Sequence, residues 1–142
     1  MTLIKLIYTE FNMEKYKHTD LTDRIIQAFY RVYNELGFGF LENVYQNAFF
    51  FELQKKGFKV EAQKAIDVYY QAQIVGKYKA DLVVDDLIIL ELKAVDYLID
   101  EHELQLINYL KATDKEIGLL LNFGKEPEIR RKIFTNDRKN LC

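Results

Sequence analysis

The sequence predicts a single domain of the α/β (α+β) class, in which a mixed central β-sheet is flanked by helices. Three observations predict it. Apolar residues recur at helical spacing in three segments, and five other segments are alternating or continuously apolar, as strands are. The resulting order, α-α-β-β-β-α-β-β, suits helices that cover both ends of one sheet. The length of 142 residues suffices for one domain with a full core.

The first two helices have recognisable ends. The first is predicted over residues 21–36, with Thr19 or Asp20 as its N-cap and Gly37 as its end, because glycine readily takes a positive φ there. The second is predicted over residues 41–56 and ends before a further glycine.

A third helix is predicted over residues 101–112 and carries two stripes. Leu104, Ile107 and Leu110 are expected to face the core. A neighbouring face carries a polar stripe at positions i, i+3 and i+7, made of His102, Gln105 and Tyr109. Such stripes are usually solvated helix faces, and a site is the alternative interpretation.

The strands follow from alternation and from apolar runs. Residues 59–70 alternate, and residues 71–76 are predicted to connect them to a second strand. Residues 78–95 then form a hairpin. The unbroken apolar run over 117–123 indicates a strand covered on both faces, and 129–134 is expected to be an edge strand.

Acidic residues interrupt the hairpin, where strand interiors normally exclude charge. A three-residue loop over 85–87 would place Leu82 opposite Leu90 and Asp81 opposite Glu91. A two-residue turn would instead place Asp81 beside Leu90, because a slip of one residue exchanges the two faces. We favour the longer loop, since it pairs aliphatic residues with aliphatic residues.

Opposed carboxylates repel each other, and a divalent cation would remove that cost. Hard cations such as Mg²⁺ prefer carboxylate and water oxygens. The sequence therefore predicts a metal site at Asp81 and Glu91. The alternative is that Lys93, on the same face as Glu91, balances the pair in a partly buried salt-bridge network.

Asp81, Glu91 and Lys93 in this element order resemble the PD-(D/E)XK nuclease-like superfamily. More narrowly, Gly39-Phe40-Leu41-Glu42-Asn43-Val44-Tyr45 resembles the signature of the GxxExxY protein family. Three other segments are similar to that family, namely residues 91–95, 105–110 and 118–124. The resemblance covers nearly the whole chain and implies a single-domain PD-(D/E)XK-like fold.

The resemblance implies a nuclease that uses Mg²⁺ or Mn²⁺ to hydrolyse DNA or RNA. Asp81 and Glu91 would bind the metal, with the Leu92 carbonyl as a further candidate ligand. Lys93 would position a water or stabilise developing charge. Glu42, which also lies where a helix dipole favours a carboxylate, and Gln105 would complete the catalytic set. The substrate contacts would come from Tyr45, His102 and Tyr109.

The composition limits the functional classes. The net charge of −2 argues against strong non-specific DNA binding. The single cysteine, Cys142, permits no internal disulfide and favours a cytoplasmic location. The N-terminus lacks a secretory pattern, and no segment approaches the ~20 apolar residues of a membrane span. We expect an N-terminal arm over 1–18, the nuclease-like domain over 19–135 and a basic tail over 136–142.

An alternative function comes from a different class. On this hypothesis the chain is a non-catalytic module that binds nucleic acid or protein, since its 14% aromatic content suits a stacking surface or a partner surface as well as a core. A protein partner or a homodimer is a further expectation. The module hypothesis gives no physical reason for opposed carboxylates beside a lysine.

Overall fold

A computed structural model describes residues 18–139. Its helices are α1 (Thr19–Leu36), α2 (Glu42–Lys55) and α3 (Asp100–Lys111), and a short 3₁₀ turn follows at Asn136–Arg138. The strands are β1 (Val60–Tyr70), β2 (Gln73–Val84), β3 (Ile88–Lys93), β4 (Ile117–Phe123) and β5 (Pro127–Ile133). The predicted order of elements is confirmed. Apart from His18, the predicted arm lies outside the described residues, as do residues 140–142 of the predicted tail.

One five-stranded mixed sheet forms the centre of the fold, with the strands in sequence order from β1 to β5. Neighbouring strands are antiparallel except β3 and β4, which are parallel and are joined through α3. All seven residues of β4 are buried, so the prediction of a strand covered on both faces is confirmed. No helix within residues 18–139 is both long and apolar enough to cross a bilayer.

Helices cover both faces of the sheet. α1 and α2 pack on one face through an aromatic cluster in which Phe29 and Phe49 contact Phe123. α3 packs on the other face through Leu106 and Leu110.

The predicted core stripe of α3 is partly wrong. Leu104 is 54% exposed, whereas Leu106 is fully buried. The reason is a close approach to β4, because a Cβ at Gly118 would lie 2.6 Å from Leu106 Cδ1. This contact sets a helix rotation in which Tyr109 is buried rather than solvated, and Gln105, one turn earlier, donates to its hydroxyl.

The connection between β1 and β2 is shorter than predicted. Only Gln71 and Ala72 separate the strands, with φ angles of 49° and 64°. Two consecutive residues at positive φ are typical of a tight hairpin turn, which usually contains Asn-Gly or Asp-Gly. Gln-Ala carries no such signal, so the sequence did not indicate the turn.

The ends of α1 confirm one expectation and contradict another. Gly37 ends the helix with φ 69°, and its N–H donates to the Tyr33 carbonyl over 2.8 Å. The predicted caps, Thr19 and Asp20, lie inside the helix instead. His18 precedes it in a left-handed conformation and accepts the first backbone hydrogen bond with its carbonyl, which starts the helix earlier.

Candidate active site

The β2–β3 hairpin has the register that the three-residue loop predicts. Leu82 pairs with Leu90, and the loop spans residues 85–87. Asp85 and Asp86 take positive φ angles of 52° and 56°, which aspartate tolerates better than most residues. Both aliphatic partners are fully buried on the face that α1 and α2 cover.

The neighbouring β1–β2 ladder is interrupted at Asp81. The residue opposite it is Gln63, which has a positive φ of 52°, and this pair is missing between the regular pairs on either side. Ala80 packs in the core under α3, whereas Leu82 packs in the core on the other face. Strict alternation would put both on one face. The interruption therefore turns the strand at Asp81.

Asp81 and Glu91 meet across β2 and β3. The Asp81 backbone N–H donates to Glu91 Oε1 over 3.2 Å, and the Leu92 N–H donates to Asp81 Oδ2 over 2.8 Å. Each carboxylate is thus oriented by the backbone of the other strand. The predicted juxtaposition of the two acids is present.

Burial makes this pair electrostatically unfavourable. Glu91 is only 5% exposed, and desolvation followed by repulsion from Asp81 raises its pKa to about 9. Desolvation also raises the pKa of Asp81, although the Leu92 hydrogen bond and Lys93 oppose the shift. A carboxyl with a pKa of about 9 is protonated at neutral pH, so the pair carries a single negative charge there.

Two further charged residues face the pair. Lys93, at the end of β3, is half-buried and lowers the pKa values of Asp81, Glu91 and Glu42. Within residues 18–139 it forms no direct ion pair, so the alternative salt-bridge network is not formed. Glu42, in the first turn of α2, lies at the rim, where desolvation raises its pKa and Asp81 raises it further.

α3 brings two of the predicted residues to the same place. Gln105 Nε2 donates to the Tyr109 hydroxyl over 2.7 Å. Burial raises the pKa of Tyr109, and the charges of Glu91 and Asp81 raise it further. The Tyr109 hydroxyl therefore lies within electrostatic range of the carboxylate pair.

His102 and Tyr45 have structural contacts. His102 Nδ1 accepts from the Ile99 N–H over 3.2 Å at the start of α3. Tyr45 is fully buried and stacks on Phe123 at a centroid distance of 4.4 Å. The predicted substrate contact by Tyr45 therefore requires correction, because its ring has no exposed surface and its hydroxyl donates to the Gly37 carbonyl over 2.6 Å.

Gln63 and Gln46 were not predicted from the sequence. The Gln63 side chain lies near the Asp81 carboxylate and acts to lower its pKa, and its Nε2 donates to Gln46 Oε1 over 2.9 Å. Gln46 lies one turn after Glu42, so α2 is linked to the acid pair. The signal was the β1–β2 register, which places Gln63 opposite Asp81, but the misplaced turn between these strands concealed it.

A third residue that was not predicted, Asn122, holds the segment that follows Lys93. It is fully buried on β4, where its Oδ1 accepts from the Val95 N–H over 3.0 Å and its Nδ2 donates to the Val95 carbonyl over 2.9 Å. Nδ2 also lies 3.0 Å from Glu128 Oε1. At Gly124, a Cβ would lie 2.2 Å from the Val95 carbonyl oxygen, so only glycine fits beside this clamp.

The donor set fits a hard divalent cation that keeps much of its water. In the part of the chain described here, no three His, Cys, Asp or Glu side chains form a ready-made metal cluster. Asp81 and Glu91 supply two carboxylates, and Mg²⁺ is commonly held by one or two carboxylates together with water and substrate phosphate. A cation would also relieve the repulsion that holds a proton on Glu91.

Comparison with known proteins agrees with this geometry. The family model of the PD-(D/E)XK nuclease superfamily matches residues 19–132, which include every element from α1 to β4 and nearly all of β5. Searches of the curated proteins and of the solved structures found no match.

Proposed function

The chain belongs to the PD-(D/E)XK nuclease superfamily, and from that premise we propose that it is a nuclease that hydrolyses phosphodiester bonds of DNA or RNA with Mg²⁺ or Mn²⁺. The observation that carries the proposal is the meeting of Asp81 and Glu91 where the β1–β2 ladder is interrupted. Burying two carboxylates together costs free energy that a purely structural pair seldom recovers. A bound cation would offset that cost.

Asp81 and Glu91 are the residues that would hold the ion, and the Leu92 carbonyl is a third candidate ligand. When bound, Mg²⁺ or Mn²⁺ polarises a phosphodiester and lowers the pKa of a coordinated water. The backbone N–H groups of Asp81 and Leu92 orient the two carboxylates in advance, so little reorganisation is needed on binding.

Lys93 would be the positively charged side chain that takes part in catalysis, in addition to the metal ion. Its ammonium acts on the same carboxylates yet has no direct ion-pair partner within residues 18–139. It is therefore available to stabilise the negative charge that develops on the phosphate or to position the attacking water. Glu42, at the rim, would accept a hydrogen bond from that water and keep it oriented.

The α3 residues would act on the substrate. Gln105 uses one N–H for Tyr109 and retains a second for a phosphate oxygen. Tyr109 would hold Gln105 in place and contact the nucleic-acid backbone with its hydroxyl. His102 uses Nδ1 for the helix start and retains Nε2 for a backbone contact.

We also propose membership of the GxxExxY family, with the domain over residues 19–135. The motif has a physical basis in this fold. Gly39 has a φ of 111°, which favours glycine, and Glu42 starts α2 at the rim of the site. The Tyr45 hydroxyl contacts Gly37 and also accepts from the Phe40 N–H over 3.2 Å, which fixes the loop before Glu42.

A metal-dependent cleavage assay tests the function. Plasmid, single-stranded DNA and structured RNA are incubated with the protein and Mg²⁺, Mn²⁺ or EDTA. Cleavage with either metal, lost in Glu91→Gln and kept in the control Asp20→Asn, is the expected result, because Asp20 is an exposed acid at the far end of α1. Absence of cleavage together with absence of saturable metal binding by calorimetry would support the non-catalytic module.

A further inference from the structure

A groove of about 520 Å³ lies between the β1–β2 hairpin and α3, on the same face of the sheet as Tyr109. Its volume is typical of ligand sites, which span roughly 300–1,000 Å³. Three tyrosines line it, Tyr69, Tyr78 and Tyr109, together with the side-chain amides of Gln105 and Asn108. Aromatic walls with a few amides suit a flat heterocycle that carries hydrogen-bonding edges.

The groove shares two residues with the surroundings of the carboxylate pair. Tyr109 lines the groove, and its hydroxyl also lies within electrostatic range of Asp81 and Glu91, which do not line the groove themselves. Gln105 lines the groove as well and donates to that hydroxyl. Tyr109 and Gln105 therefore link the groove to the predicted metal site.

One ring in the groove has an open face. Tyr78 is 51% exposed, and its ring lies 5.8 Å from that of Tyr109 at a tilt of 45°. The two rings are tilted and do not stack on each other, so a third ring can lie against the exposed face of Tyr78. Tyr69, on the opposite strand, is 47% exposed.

The strand segment that carries Tyr69 and Tyr78 contributes aromatic rings to the groove. β3 pairs only with Leu82, Val83 and Val84 of β2, so the outer part of the β1–β2 hairpin extends beyond the rest of the sheet. Residues 68–79 of this extension contain three tyrosines and two lysines and no acidic residue. The two lysines alternate with Tyr78 along the strand and do not line the groove, so the segment supplies the groove with stacking rings, as in surfaces that bind single-stranded nucleic acid.

We propose that this groove binds an unpaired nucleobase of a single-stranded nucleic acid, with the base stacked on Tyr78 and its edge hydrogen-bonded by the Oε1 of Gln105 and by the side-chain amide of Asn108. This rests on the proposed function and narrows its substrate to strands with unstacked bases. Bases inside a duplex are covered on both faces by their neighbours and cannot enter, whereas single strands expose them.

The charges of the groove indicate how the strand is bound. Lys111 and Glu101 contribute one charge of each sign to the lining, and the whole chain has a net charge of −2. Phosphate contacts thus supply little of the affinity at this position, and stacking supplies most of it. Binding should therefore weaken only slightly with added salt.

The test measures binding without cleavage. Full-length protein in EDTA is titrated into fluorescent single-stranded oligothymidylate and oligouridylate of about 15 nucleotides, a length suited to strand-binding sites, and into a DNA duplex of equal length. Tyr78→Ala should weaken single-strand binding about tenfold or more, whereas Tyr78→Phe should retain it. The matched control is Phe51→Ala, which removes a ring that is 70% exposed on α2 and lies outside the groove.

Each outcome decides the proposal. Comparison of oligothymidylate with oligouridylate distinguishes a DNA strand from an RNA strand. The proposal is overturned if Tyr78→Ala binds single strands as the unchanged protein does, or if the duplex binds equally well; a groove that holds a peptide of a partner protein would give the first result. Single-strand binding that depends on Tyr78, without cleavage in Mg²⁺ or Mn²⁺, would refute the nuclease function but support the groove as a nucleobase site.

Discussion

The backbone N–H of Asp81 donates to the carboxylate of Glu91 over 3.2 Å, so the strand that carries one acid orients the other. The reverse contact, from the Leu92 N–H to Asp81 Oδ2, completes a reciprocal arrangement. Both acids are held in place by backbone groups that cannot move away from the repulsion. Protonation of Glu91 or binding of a cation would relieve the repulsion between the two acids.

The free energy of unfolding should fall as the pH rises, because Glu91 must lose its proton in a buried position. Its folded pKa of about 9 lies above the unfolded value of about 4.3. Between these values the folded state binds more protons than the unfolded state, so the free energy of unfolding falls by about 1 kcal/mol per pH unit. Glu91→Gln mimics the protonated acid and should remove this slope, and denaturant unfolding in EDTA from pH 5 to 9 measures it.

The control for that measurement is Asp20→Asn, which should keep the slope of the unchanged protein because Asp20 is exposed on α1. Parallel pH dependences of the unchanged protein and Glu91→Gln would contradict the assignment of a buried, protonated Glu91.

Metal affinity should rise with pH for the same reason. A cation at Asp81 and Glu91 must displace the proton that the pair holds, so the affinity for Mg²⁺ should increase by up to about tenfold per pH unit below the Glu91 pKa of about 9. Calorimetry in buffers of different ionisation enthalpy should detect the released proton. Metal binding without proton release at pH 7 would place the ion elsewhere.

Gln63 should act as a positioning residue for the metal site. Two substitutions of it should weaken metal binding equally but differ in their effect on stability. Gln63→Gly and Gln63→Ala both remove the side chain that donates to Gln46 and lies near the Asp81 carboxylate, so both should weaken Mg²⁺ binding by about tenfold. Glycine also accepts the φ of 52° without strain, so Gln63→Gly should be about 1 kcal/mol more stable than Gln63→Ala. Equal metal affinity in all three proteins would show that Gln63 has no such role.

The sequence predicted the parts of this site that depend on local pattern. The hairpin loop over 85–87 follows from matching aliphatic residues, and the register that it sets brings Asp81 towards Glu91. Helix ends at glycine and the buried β4 followed equally from local signals.

What the sequence could not show depends on contacts between distant elements. The rotation of α3 is set by Leu106 against Gly118, a close approach that helical spacing alone does not reveal. Gln63 reaches Asp81 only through the register of the long β1–β2 pair, which a turn at Gln71 and Ala72 fixes without its usual residues. Tyr45 looked like a site residue because of its motif, yet packing on Phe123 buries it.

Lys93 should be needed for turnover more than for folding. Lys93→Ala is expected to lower the cleavage rate about 100-fold or more, because no other described group acts as a cation on all three acids of the site. Denaturant unfolding should change little, since Lys93 has no direct ion-pair partner within residues 18–139. Lys55→Ala, an exposed lysine at the end of α2, is the control, and normal cleavage by Lys93→Ala would refute the role.

Asn122 should hold the segment after Lys93 through hydrogen bonds that it donates as well as one that it accepts. Asn122→Asp keeps the size and the acceptor for the Val95 N–H but replaces the donor with an oxygen facing Glu128 and the Val95 carbonyl. Burial of this unpaired acceptor should destabilise the protein by about 3 kcal/mol at pH 7 and lower cleavage with it. The loss should diminish as the pH falls and the introduced carboxyl gains a proton to donate. Denaturant unfolding at pH 5 and 7, with the exposed Asn34→Asp as control, measures this difference, and a pH-independent loss would contradict it.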